Sequence, residues 1–364
     1  MIDLNKNYYC IILAGGVGTR FWPVSRESRP KQFHSPSPGG KTFLRLTYER
    51  FADFFPPENI IVVSLLRYKE LVKKEIPEIP EENILLEPYN RNTAPSITYA
   101  SYSILKRDPD AVTVVSAADN MVSDMDKFES TIFKTLEYAD KHNALMALGI
   151  IPDHPDTNFG YIQALGEEDG DNPLRVKTFT EKPDAELAEV FVNSGEFYWN
   201  SGIYVWRADV IKEELERYAP EITSLFNGWE KNLGTVWEEA FLEKIYTDSP
   251  KISVEYAVME KTEIAMLTPS SFGWHDVGNW EALYSYLSAK DPDKNAVSVP
   301  RSMCSENKGT MIYSDEKGKM VIVKGLENYL VVDTDDVLLI CPRNPKQIKE
   351  ILTNIAMPDC EDYR

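Results

Sequence analysis

Glycine and basic residues that could bind phosphate lie close together near the N-terminus. Gly15, Gly16 and Gly18 directly follow an apolar run, and Arg20 and Lys31 come soon after them. Glycines allow a backbone to approach an anion and to expose consecutive N–H groups, and a guanidinium or ammonium group then adds positive charge. This combination predicts a polyphosphate site. The alternative is a tight strand-to-helix turn followed by a solvated basic loop.

Two familiar phosphate-binding motifs do not fit the chain. The GxGxxG pattern fails because Phe21 stands where the third glycine belongs. The pattern GxxxxGK[ST] is nearly met by Gly40, Lys41 and Thr42, but Ser35 occupies the first glycine position. The sequence therefore argues against an ordinary dinucleotide-binding dehydrogenase and against a P-loop NTPase.

Two carboxylates from distant segments could hold a metal ion. Asp119 follows an apolar run at the carboxyl end of a predicted strand, where ligands bind in open α/β sheets. Asp276 lies between Gly273 and Gly278. Such a pair suits Mg²⁺, which accepts carboxylates together with substrate phosphates. The alternative is that Asp119 caps a turn and Asp276 caps a helix that begins near Asn279. The histidines have no HExxH spacing, so we expect them in core or supporting roles.

The elements that must position these residues follow from the hydrophobic pattern. Short β-branched runs alternate with helical patterns over the first 150 residues, which predicts βαβ units and a mostly parallel sheet. Predicted strands are 8–14, 60–66, 112–118, 145–151, 161–163, 176–180 and 203–206. Predicted helices are 42–54, 68–75, 94–106, 127–141, 185–193, 208–218 and 229–244.

The pattern changes after about residue 295. Four short strands are predicted there, at 310–314, 320–324, 329–333 and 337–341, with tight turns between them and a final helix at 345–355. We therefore predict a catalytic domain over residues 1–295 and a small β-rich C-terminal domain over 296–364. The C-terminal domain is expected either to pack on its own catalytic domain or to form the contact of a homodimer.

Composition excludes several classes of partner. The chain of 364 residues has a formal net charge of −19, which argues against binding to nucleic acid or to anionic membranes but not against small anions. No apolar stretch reaches the length of a membrane span, and the N-terminus lacks the basic region of a signal peptide. Four scattered cysteines predict reduced thiols. We expect a cytoplasmic protein.

The motifs, taken in order, resemble those of the nucleotide-sugar pyrophosphorylases. Segment 13–33, LAGGVGTRFWPVSRESRPKQF, is similar to the variant of the signature found in the mannose-1-phosphate guanylyltransferase family. Six further matches follow: EPYNRNTAPS at 87–96, FGYI at 159–162, FTEKP at 179–183, WNSGIYVW at 199–206, SVEYAVMEKT at 253–262 and WHDVGNW at 274–280. The resemblance covers roughly residues 8–355. It implies an α/β nucleotidyltransferase fold, with a Rossmann-like mixed, mostly parallel sheet flanked by helices.

The resemblance also implies a reaction. Members of the family transfer GMP from GTP to α-D-mannose 1-phosphate, giving GDP-mannose and pyrophosphate, by in-line attack of the sugar phosphate on the α-phosphorus with Mg²⁺ as cofactor. One alternative is the same chemistry on another sugar 1-phosphate, such as a manno-heptose 1-phosphate. A second is a catalytically silent regulator that binds a GDP-sugar, which would be expected to lose Arg20, Lys31 or a metal carboxylate.

The roles of individual residues follow from the same resemblance. Arg20 is expected to clamp the β- and γ-phosphates, Lys31 to neutralise charge on the α-phosphate, and Asp119 and Asp276 to hold Mg²⁺. The nucleotide-binding residues are expected to be Leu13, Ala14, Gly15, Gly16, Gly18, Thr19, Glu87, Arg91, Asn92 and Thr93. The sugar-phosphate-binding residues are expected to be Gly160, Tyr161, Glu181, Lys182, Asn200 and Gly202.

The chain departs from the family pattern at two motifs. It reads Ala-Ala-Asp-Asn at 117–120 where the family has Pro-Ala-Asp-His, so Asp119 is retained but an imidazole is lost, with a possible change in sugar choice or pH dependence. It reads Val-Glu-Tyr-Ala at 254–257 in place of Ile-Asp-Tyr-Ala. Many bacterial relatives continue into a cupin-type phosphomannose isomerase domain, and the end at Arg364 predicts no isomerase activity.

Overall fold

The residues described by the computed structural model are 7–16, 18–37, 40–166, 172–288, 291–315, 318–355 and 363. The chain divides into two compact units, each assembled from separate stretches. The first unit is Met1–Gly15, Tyr48–Ala117 and Val122–Trp274, and the second is Gly16–Thr47, Ala118–Met121 and His275–Arg364. The predicted boundary between residues 295 and 296 falls inside the second unit. The division into a catalytic and a C-terminal domain stays a prediction.

The strands of the described residues have three to eleven residues, and the strand with eleven, Phe197–Arg207, lies in the first unit. In chain order they are β1 (Tyr8–Leu13), β2 (Ile60–Leu65), β3 (Ile84–Glu87), β4 (Val112–Ala117), β5 (Asn120–Val122), β6 (Leu145–Ile150), β7 (Tyr161–Leu165), β8 (Leu174–Thr180), β9 (Phe197–Arg207), β10 (Ala265–Ser270), β11 (Trp274–Asp276), β12 (Ala296–Ser298), β13 (Ser302–Ser305), β14 (Met311–Ser314), β15 (Val321–Lys324), β16 (Tyr329–Asp333) and β17 (Leu338–Pro342).

The α-helices lie mostly between the strands of the first unit. In chain order they are α1 (Phe43–Ala52), α2 (Lys69–Glu75), α3 (Thr93–Arg107), α4 (Met125–Lys141), α5 (Ala185–Ser194), α6 (Ala208–Tyr218), α7 (Pro220–Thr223), α8 (Trp229–Asn232), α9 (Glu238–Asp248), α10 (Trp280–Ser288) and α11 (Pro345–Ile355). Among the described residues, no helix is both long enough and apolar enough to span a membrane.

The first unit is built on a mixed sheet, as predicted. Among the described residues its nine strands follow the order β3-β2-β1-β4-β9-β6-β10-β8-β7. Strands β1 to β4 pair in parallel, and β9 lies antiparallel between β4 and β6. The sheet therefore contains more antiparallel strand pairs than the alternation of strands and helices in the sequence indicates. Every residue of β2 and β6 is buried, because both faces of these central strands are covered.

One predicted helix of the first unit is wrong. The pattern at 229–244 predicts a continuous helix, but the structure has α8 and α9 with a turn between them. In that turn the N–H of Gly234 donates to Glu238 Oε2 at 2.6 Å, and the N–H of Trp237 donates to Thr235 Oγ1 at 3.2 Å. These side-chain bonds take backbone N–H groups of the turn that a continuous helix would use, so one helix ends and the next begins.

The second unit contains the β-rich C-terminal segment. Strands β12, β14 and β16 pair in parallel, β17 pairs antiparallel to β16, and β13 pairs in parallel with β15. A hydrophobic cluster joins this segment to earlier parts of the same unit, since Phe21 and Trp22 pack with Trp280, Met311 and Leu330. The small strands therefore share one core with the segment that follows the glycine-rich turn.

Candidate active site

The predicted site residues fall into two groups, one in each unit. The group in the second unit contains Gly16, Gly18, Thr19, Arg20, Lys31, Asp119 and Asp276. The group in the first unit contains Leu13, Ala14, Gly15, Glu87, Arg91, Asn92, Thr93, Gly160, Tyr161, Glu181, Lys182, Asn200 and Gly202.

Lys31 is the most buried cation of the predicted phosphate segment. Only 3% of its surface is exposed, and its Nζ lies 2.9 Å from Asp119 Oδ2 and 3.2 Å from the Asp119 carbonyl oxygen. The same Nζ lies 4.8 Å from the centre of the Phe43 ring and 5.4 Å from that of Phe21. Two aromatic faces and a carboxylate therefore hold the ammonium group in one place.

Gly18 brings the glycine-rich turn against Lys31. The residue has φ 67°, a left-handed conformation that disfavours other side chains. A Cβ at this position would lie 2.6 Å from Lys31 Cβ, closer than real Cβ atoms approach. Thr19 and Arg20 then form a short 3₁₀ turn that leaves both side chains exposed. The turn therefore requires glycine for two independent reasons.

Arg20 and Asp276 converge on the backbone at Gly278. A Cβ placed on Gly278 would lie 3.1 Å from Asp276 Oδ2 and 3.3 Å from Arg20 Nη2. Arg20 is exposed and Asp276 is partly exposed. The structure therefore brings an accessible guanidinium group and a carboxylate from distant segments to the same point.

The capping alternative for the two aspartates is not supported. Helix α10 is capped by Asn279, whose Oδ1 accepts the N–H of Ala282 at 2.9 Å, so Asp276 does not fill that position. The Asp119 carboxylate accepts the Lys31 ammonium instead of a turn N–H. The bond to Lys31 thus accounts for one contact of Asp119, and the metal-binding role of both aspartates stays a prediction.

The other arginines of the phosphate segment are engaged elsewhere. Arg26 makes a bidentate ion pair with Asp336, with N–O distances of 2.5 and 2.6 Å, which lowers the pKa of that carboxyl to about 2. Arg29 donates to the Phe33 carbonyl at 3.0 Å. Arg26 is thus neutralised by Asp336 and Arg29 is bonded to a backbone carbonyl. The roles of Arg20 and Lys31 toward phosphate stay predictions.

The chemistry of Asp119 and Asp276 fits a hard divalent cation. Carboxylate oxygens are preferred ligands of Mg²⁺, which usually takes one or two of them and completes its shell with water and substrate phosphates. Among the described residues, no group of three or more His, Cys, Asp or Glu side chains is arranged to hold a metal.

In the first unit, hydrogen bonds to other segments of the same polypeptide fix the end of β1. The N–H of Ala14 donates to Val63 O at 2.8 Å, and Ala14 O accepts Ser64 Oγ at 2.9 Å. Gly15 O accepts the side-chain amide of Asn90 at 2.9 Å. The backbone groups of Ala14 therefore serve the sheet, and Asn90, which sequence reasoning missed, positions the start of the glycine turn.

Glu87 is a buried carboxyl at the end of β3. Ser96 Oγ and Tyr246 Oη donate to its Oε1 at 2.5 and 2.7 Å, and a Cβ on Gly15 would lie 3.4 Å from its Oε2. Burial raises the pKa of Glu87 to about 7, although the two hydroxyl donors oppose that shift. Ser96 and Tyr246 were not predicted, and Tyr246 lies far from the motif in sequence.

Arg91, Asn92 and Thr93 make contacts within the first unit. Arg91 Nε donates to Tyr246 O at 2.6 Å, Asn92 Oδ1 accepts the N–H of Thr93 at 2.9 Å, and Thr93 Oγ1 accepts the N–H of Val254 at 2.9 Å. These bonds start α3 and attach it to the segment around residues 246–254. The three residues therefore position neighbouring segments of the first unit, and their nucleotide-binding role stays a prediction.

The predicted sugar-binding residues on β7 and β9 are adjacent. The N–H of Asn200 donates to Gly160 O at 2.8 Å, and Asn200 Oδ1 accepts the N–H of Gly202 at 3.1 Å. Tyr161 is fully buried, and its hydroxyl is bonded to the backbone of Asp156. Gly160, Asn200 and Gly202 are thus brought together, while Tyr161 supports the loop before them.

Glu181 and Lys182 follow β8 as exposed side chains. The N–H of Lys182 donates to Glu181 Oε2 at 3.1 Å. The pKa of Tyr204 on β9 is raised first by burial and then by Glu255, with a smaller effect from Glu181, so these groups are close enough to interact. Neither Tyr204 nor Glu255 was predicted as a site residue.

Two of the histidines differ in burial. His34 is buried, its Nε2 donates to Arg29 O at 2.9 Å, and its pKa is lowered to about 4 by burial and by Arg29. His275 is exposed and packs edge-on against Tyr286 at 5.2 Å. Cys10, Cys304 and Cys341 are free thiols, and Cys360 lies outside the described residues.

Comparison with known proteins assigns the chain to a family. The family model described as nucleotidyl transferase matches residues 9–291. The chain is 34% identical to the mannose-1-phosphate guanylyltransferase RfbM of Salmonella typhimurium, over 97% of this chain and 74% of that protein. It is 35% identical to the mannose-1-phosphate guanylyltransferase of Escherichia coli, over 98% of this chain and 75% of that protein.

The fold is similar to that of a solved structure. A protein of Thermus thermophilus named mannose-1-phosphate geranyltransferase superposes with a TM-score of 0.85 and 30% identity, covering 97% of this chain and all of that one. Sequence and fold agree over nearly the whole length. The chain belongs to the nucleotidyl transferase family, within the group whose curated members are named mannose-1-phosphate guanylyltransferases.

Proposed function

We propose that the protein transfers GMP from GTP to α-D-mannose 1-phosphate, giving GDP-mannose and pyrophosphate. The observation that carries the proposal is the buried Lys31, held at 2.9 Å from Asp119 beside the glycine-rich turn. Such a fixed ammonium group suits a reaction in which negative charge grows on phosphate oxygens. The names and sequence identity of the relatives support the choice of GTP and mannose 1-phosphate.

The sugar phosphate itself supplies the nucleophile in this reaction. A phosphate oxygen attacks the α-phosphorus of GTP, the new P–O bond forms in line, and the bond to pyrophosphate breaks. The protein therefore contributes position and charge. We propose that Lys31 neutralises the α-phosphate, that Arg20 clamps the β- and γ-phosphates, and that Gly16, Gly18 and Thr19 line the triphosphate.

Asp119 and Asp276 are the residues that would hold a divalent cation, proposed to be Mg²⁺. When bound, such an ion neutralises phosphate charge and orients phosphate oxygens. Asp119 would then have two tasks, because its carboxylate also fixes the Lys31 ammonium. Asp276 would similarly lie beside both the ion and Arg20, because the Asp276 carboxylate and the Arg20 guanidinium both approach Gly278.

The first unit is proposed to bind the nucleoside and the sugar. Glu87, Arg91, Asn92 and Thr93 are proposed for the base and ribose, with Leu13, Ala14 and Gly15 at the end of the strand before them. Gly160, Glu181 and Asn200 are proposed for the mannose hydroxyls, with Tyr161 and Gly202 beside them, and Lys182 for the sugar phosphate. Amide, carboxylate and ammonium groups of this kind give orientation to small polar ligands.

The proposal is tested by supplying GTP, Mg²⁺ and a panel of sugar 1-phosphates and measuring the release of pyrophosphate. We expect mannose 1-phosphate to give the highest kcat/KM, and ATP or UTP in place of GTP to give much less. Turnover of a heptose 1-phosphate about tenfold faster than mannose 1-phosphate would overturn the assignment of the sugar. Binding of GDP-mannose without any turnover would support the silent regulator.

A further inference from the structure

The side chain of Asn200 is oriented by Tyr204 and Glu255, which lie within the sequence motifs but were not among the predicted site residues. Tyr204 Oη lies 2.6 Å from Glu255 Oε1, 2.9 Å from Asn200 Nδ2 and 3.2 Å from Asn200 Oδ1. Asn200 Oδ1 accepts the N–H of Gly202 at 3.1 Å. A carboxylate can only accept, so the Tyr204 hydroxyl donates to Glu255 and accepts from the Asn200 amide.

This direction of donation fixes which way the amide faces. With its proton directed to Glu255, the Tyr204 hydroxyl can accept from Asn200 Nδ2 but cannot also donate to Asn200 Oδ1, 3.2 Å away. The N–H of Gly202 needs an acceptor, so Oδ1 is the amide atom that lies toward Gly202. Each of these atoms then has one further bonding position, an N–H on Nδ2 and a lone pair on Oδ1. Burial and Glu255 raise the pKa of Tyr204 well above its ordinary value, so the hydroxyl keeps its proton as a donor.

The position of Glu255 is set by an unusual helical turn. Residues Glu255–Met259 form a π-helix, in which the N–H of Glu260 bonds to Glu255 O at 2.9 Å. The turn is attached to α3 because the N–H of Val254 donates to Thr93 Oγ1. Single π turns are often found at functional sites, where they direct a side chain that a regular helix would point elsewhere.

We propose that Tyr204 and Glu255 are positioning residues that set the selectivity for the sugar by holding the amide of Asn200 in one orientation. The inference rests on the proposed function, because Asn200 must contact the sugar for its orientation to matter. With the amide fixed, one donor and one acceptor meet the sugar hydroxyls in a defined arrangement. Sugars whose hydroxyls present a different arrangement would leave a polar group without a partner, which lowers their kcat/KM.

The test compares Tyr204→Phe with a matched control. The Tyr204 ring stacks on Trp206 at 5.6 Å, and phenylalanine keeps that contact while it removes the hydroxyl. We expect KM for mannose 1-phosphate to rise about tenfold, with KM for GTP changed by less than about twofold. The preference for mannose 1-phosphate over glucose 1-phosphate should fall by a similar factor.

Tyr99→Phe is the matched control in the same unit. Tyr99 is as buried as Tyr204 and its hydroxyl also bonds to a glutamate, Glu238, but neither residue belongs to the proposed site. This variant should lose comparable stability in urea while both KM values stay the same. Equal effects of the two variants on the sugar KM would assign the change to general loss of packing and overturn the inference.

Substitutions of Glu255 provide a rescue test. Glu255→Gln keeps an oxygen that accepts the Tyr204 hydroxyl, and should retain the sugar KM within about threefold, whereas Glu255→Ala should behave like Tyr204→Phe. An unchanged sugar KM in both Tyr204→Phe and Glu255→Ala overturns the inference but leaves the proposed function standing. A wild-type chain that releases no pyrophosphate with any sugar 1-phosphate overturns the proposed function and the inference together.

Discussion

In the second unit the buried charge of Lys31 faces an opposite charge, whereas in the first unit the buried carboxyl of Glu87 is bonded to neutral hydroxyl groups. The Lys31 ammonium lies 2.9 Å from the Asp119 carboxylate. The Glu87 carboxyl accepts Ser96 and Tyr246 instead, and burial raises its pKa to about 7. Removing the charge should therefore have opposite effects on stability in the two regions, although both changes should impair the reaction.

The largest effect should follow the loss of the Lys31 charge. Lys31→Met keeps a long side chain between Phe21 and Phe43 but removes the ammonium group, so kcat should fall about a thousandfold. Asp119 also loses its partner, so the free energy of unfolding should fall. Pyrophosphate release and urea unfolding measure the two effects.

The control for this variant is Lys41→Met, which changes an exposed lysine of the same unit. It should leave kcat within about twofold of the wild type, because an exposed surface charge contributes little. A fall in kcat of less than about tenfold in Lys31→Met would remove Lys31 from the proposed mechanism. Lys31→Arg, which keeps the charge, distinguishes loss of charge from loss of folding.

Neutralising Glu87 should instead stabilise the protein. A carboxyl whose pKa is near 7 in the folded chain and 4.5 in the unfolded chain binds more protons when folded between those values. The free energy of unfolding therefore falls as pH rises through that window. Glu87→Gln should be more stable than the wild type by up to about 3 kcal/mol at pH 8, and the difference should vanish near pH 4.

The same variant also tests the proposed role of Glu87 toward the nucleoside. If the carboxylate accepts N–H or O–H groups of GTP, KM for GTP should rise about tenfold in Glu87→Gln at pH 8. In the wild type KM for GTP should rise as pH falls below about 7, where Glu87 takes up a proton. A KM for GTP that does not change with pH would show that Glu87 supports the backbone at Gly15 but does not bind the nucleoside.

Arg20 and Arg26 allow a comparison within one loop. Arg20 is exposed beside Asp276, whereas Arg26 is paired with Asp336. Arg20→Ala should lower turnover about a hundredfold and leave the fold intact, because it removes a proposed phosphate clamp. Arg26→Ala should change turnover little and cost less than about 1 kcal/mol of stability, as expected for an exposed ion pair. Equal losses of activity in the two variants would contradict the separate roles.

The sequence predicted the central strands well because burial on both faces leaves a clear pattern. The ends of β2, β4 and β6 lie within one residue of the predicted ends. Strand β3 was missed because it has only four residues and ends in Glu87, and β10 was missed because Pro269 argues against a strand. Neither feature prevents pairing once neighbouring strands are in place.

Pairing between distant strands was not predictable from local turns. The C-terminal strands were predicted with tight turns between successive members, but β14 pairs in parallel with β16, while β15 lies in the other small sheet. Asn307 supports this arrangement, since its amide donates to Val323 O at 3.0 Å and accepts the N–H of Leu326 at 2.9 Å. Turn composition indicates where strands end, but it does not identify the strand with which each one pairs.

The candidate site was predicted as residue types but not as contacts. Lys31 and Asp119 were predicted in separate motifs, and only the structure shows that they bond to each other. Tyr204 and Glu255 were not predicted because their side chains meet across 51 positions of sequence. Spacing identifies groups on one helix or strand, whereas contacts between distant segments depend on how the sheet brings them together.

The smallest effects are expected at helix caps, which separate stability from chemistry in the two units. Asp184 caps α5 in the first unit through the N–H of Leu187 at 2.9 Å, and Asn279 caps α10 in the second through that of Ala282. Replacing either residue by alanine should cost about 1 kcal/mol of unfolding free energy. Urea unfolding measures that cost, and kcat and both KM values should stay within about twofold of the wild type. A selective loss of kcat in Asn279→Ala would show that the start of α10 helps to place Asp276, so that this cap belongs to the chemistry of the second unit as well as to its stability.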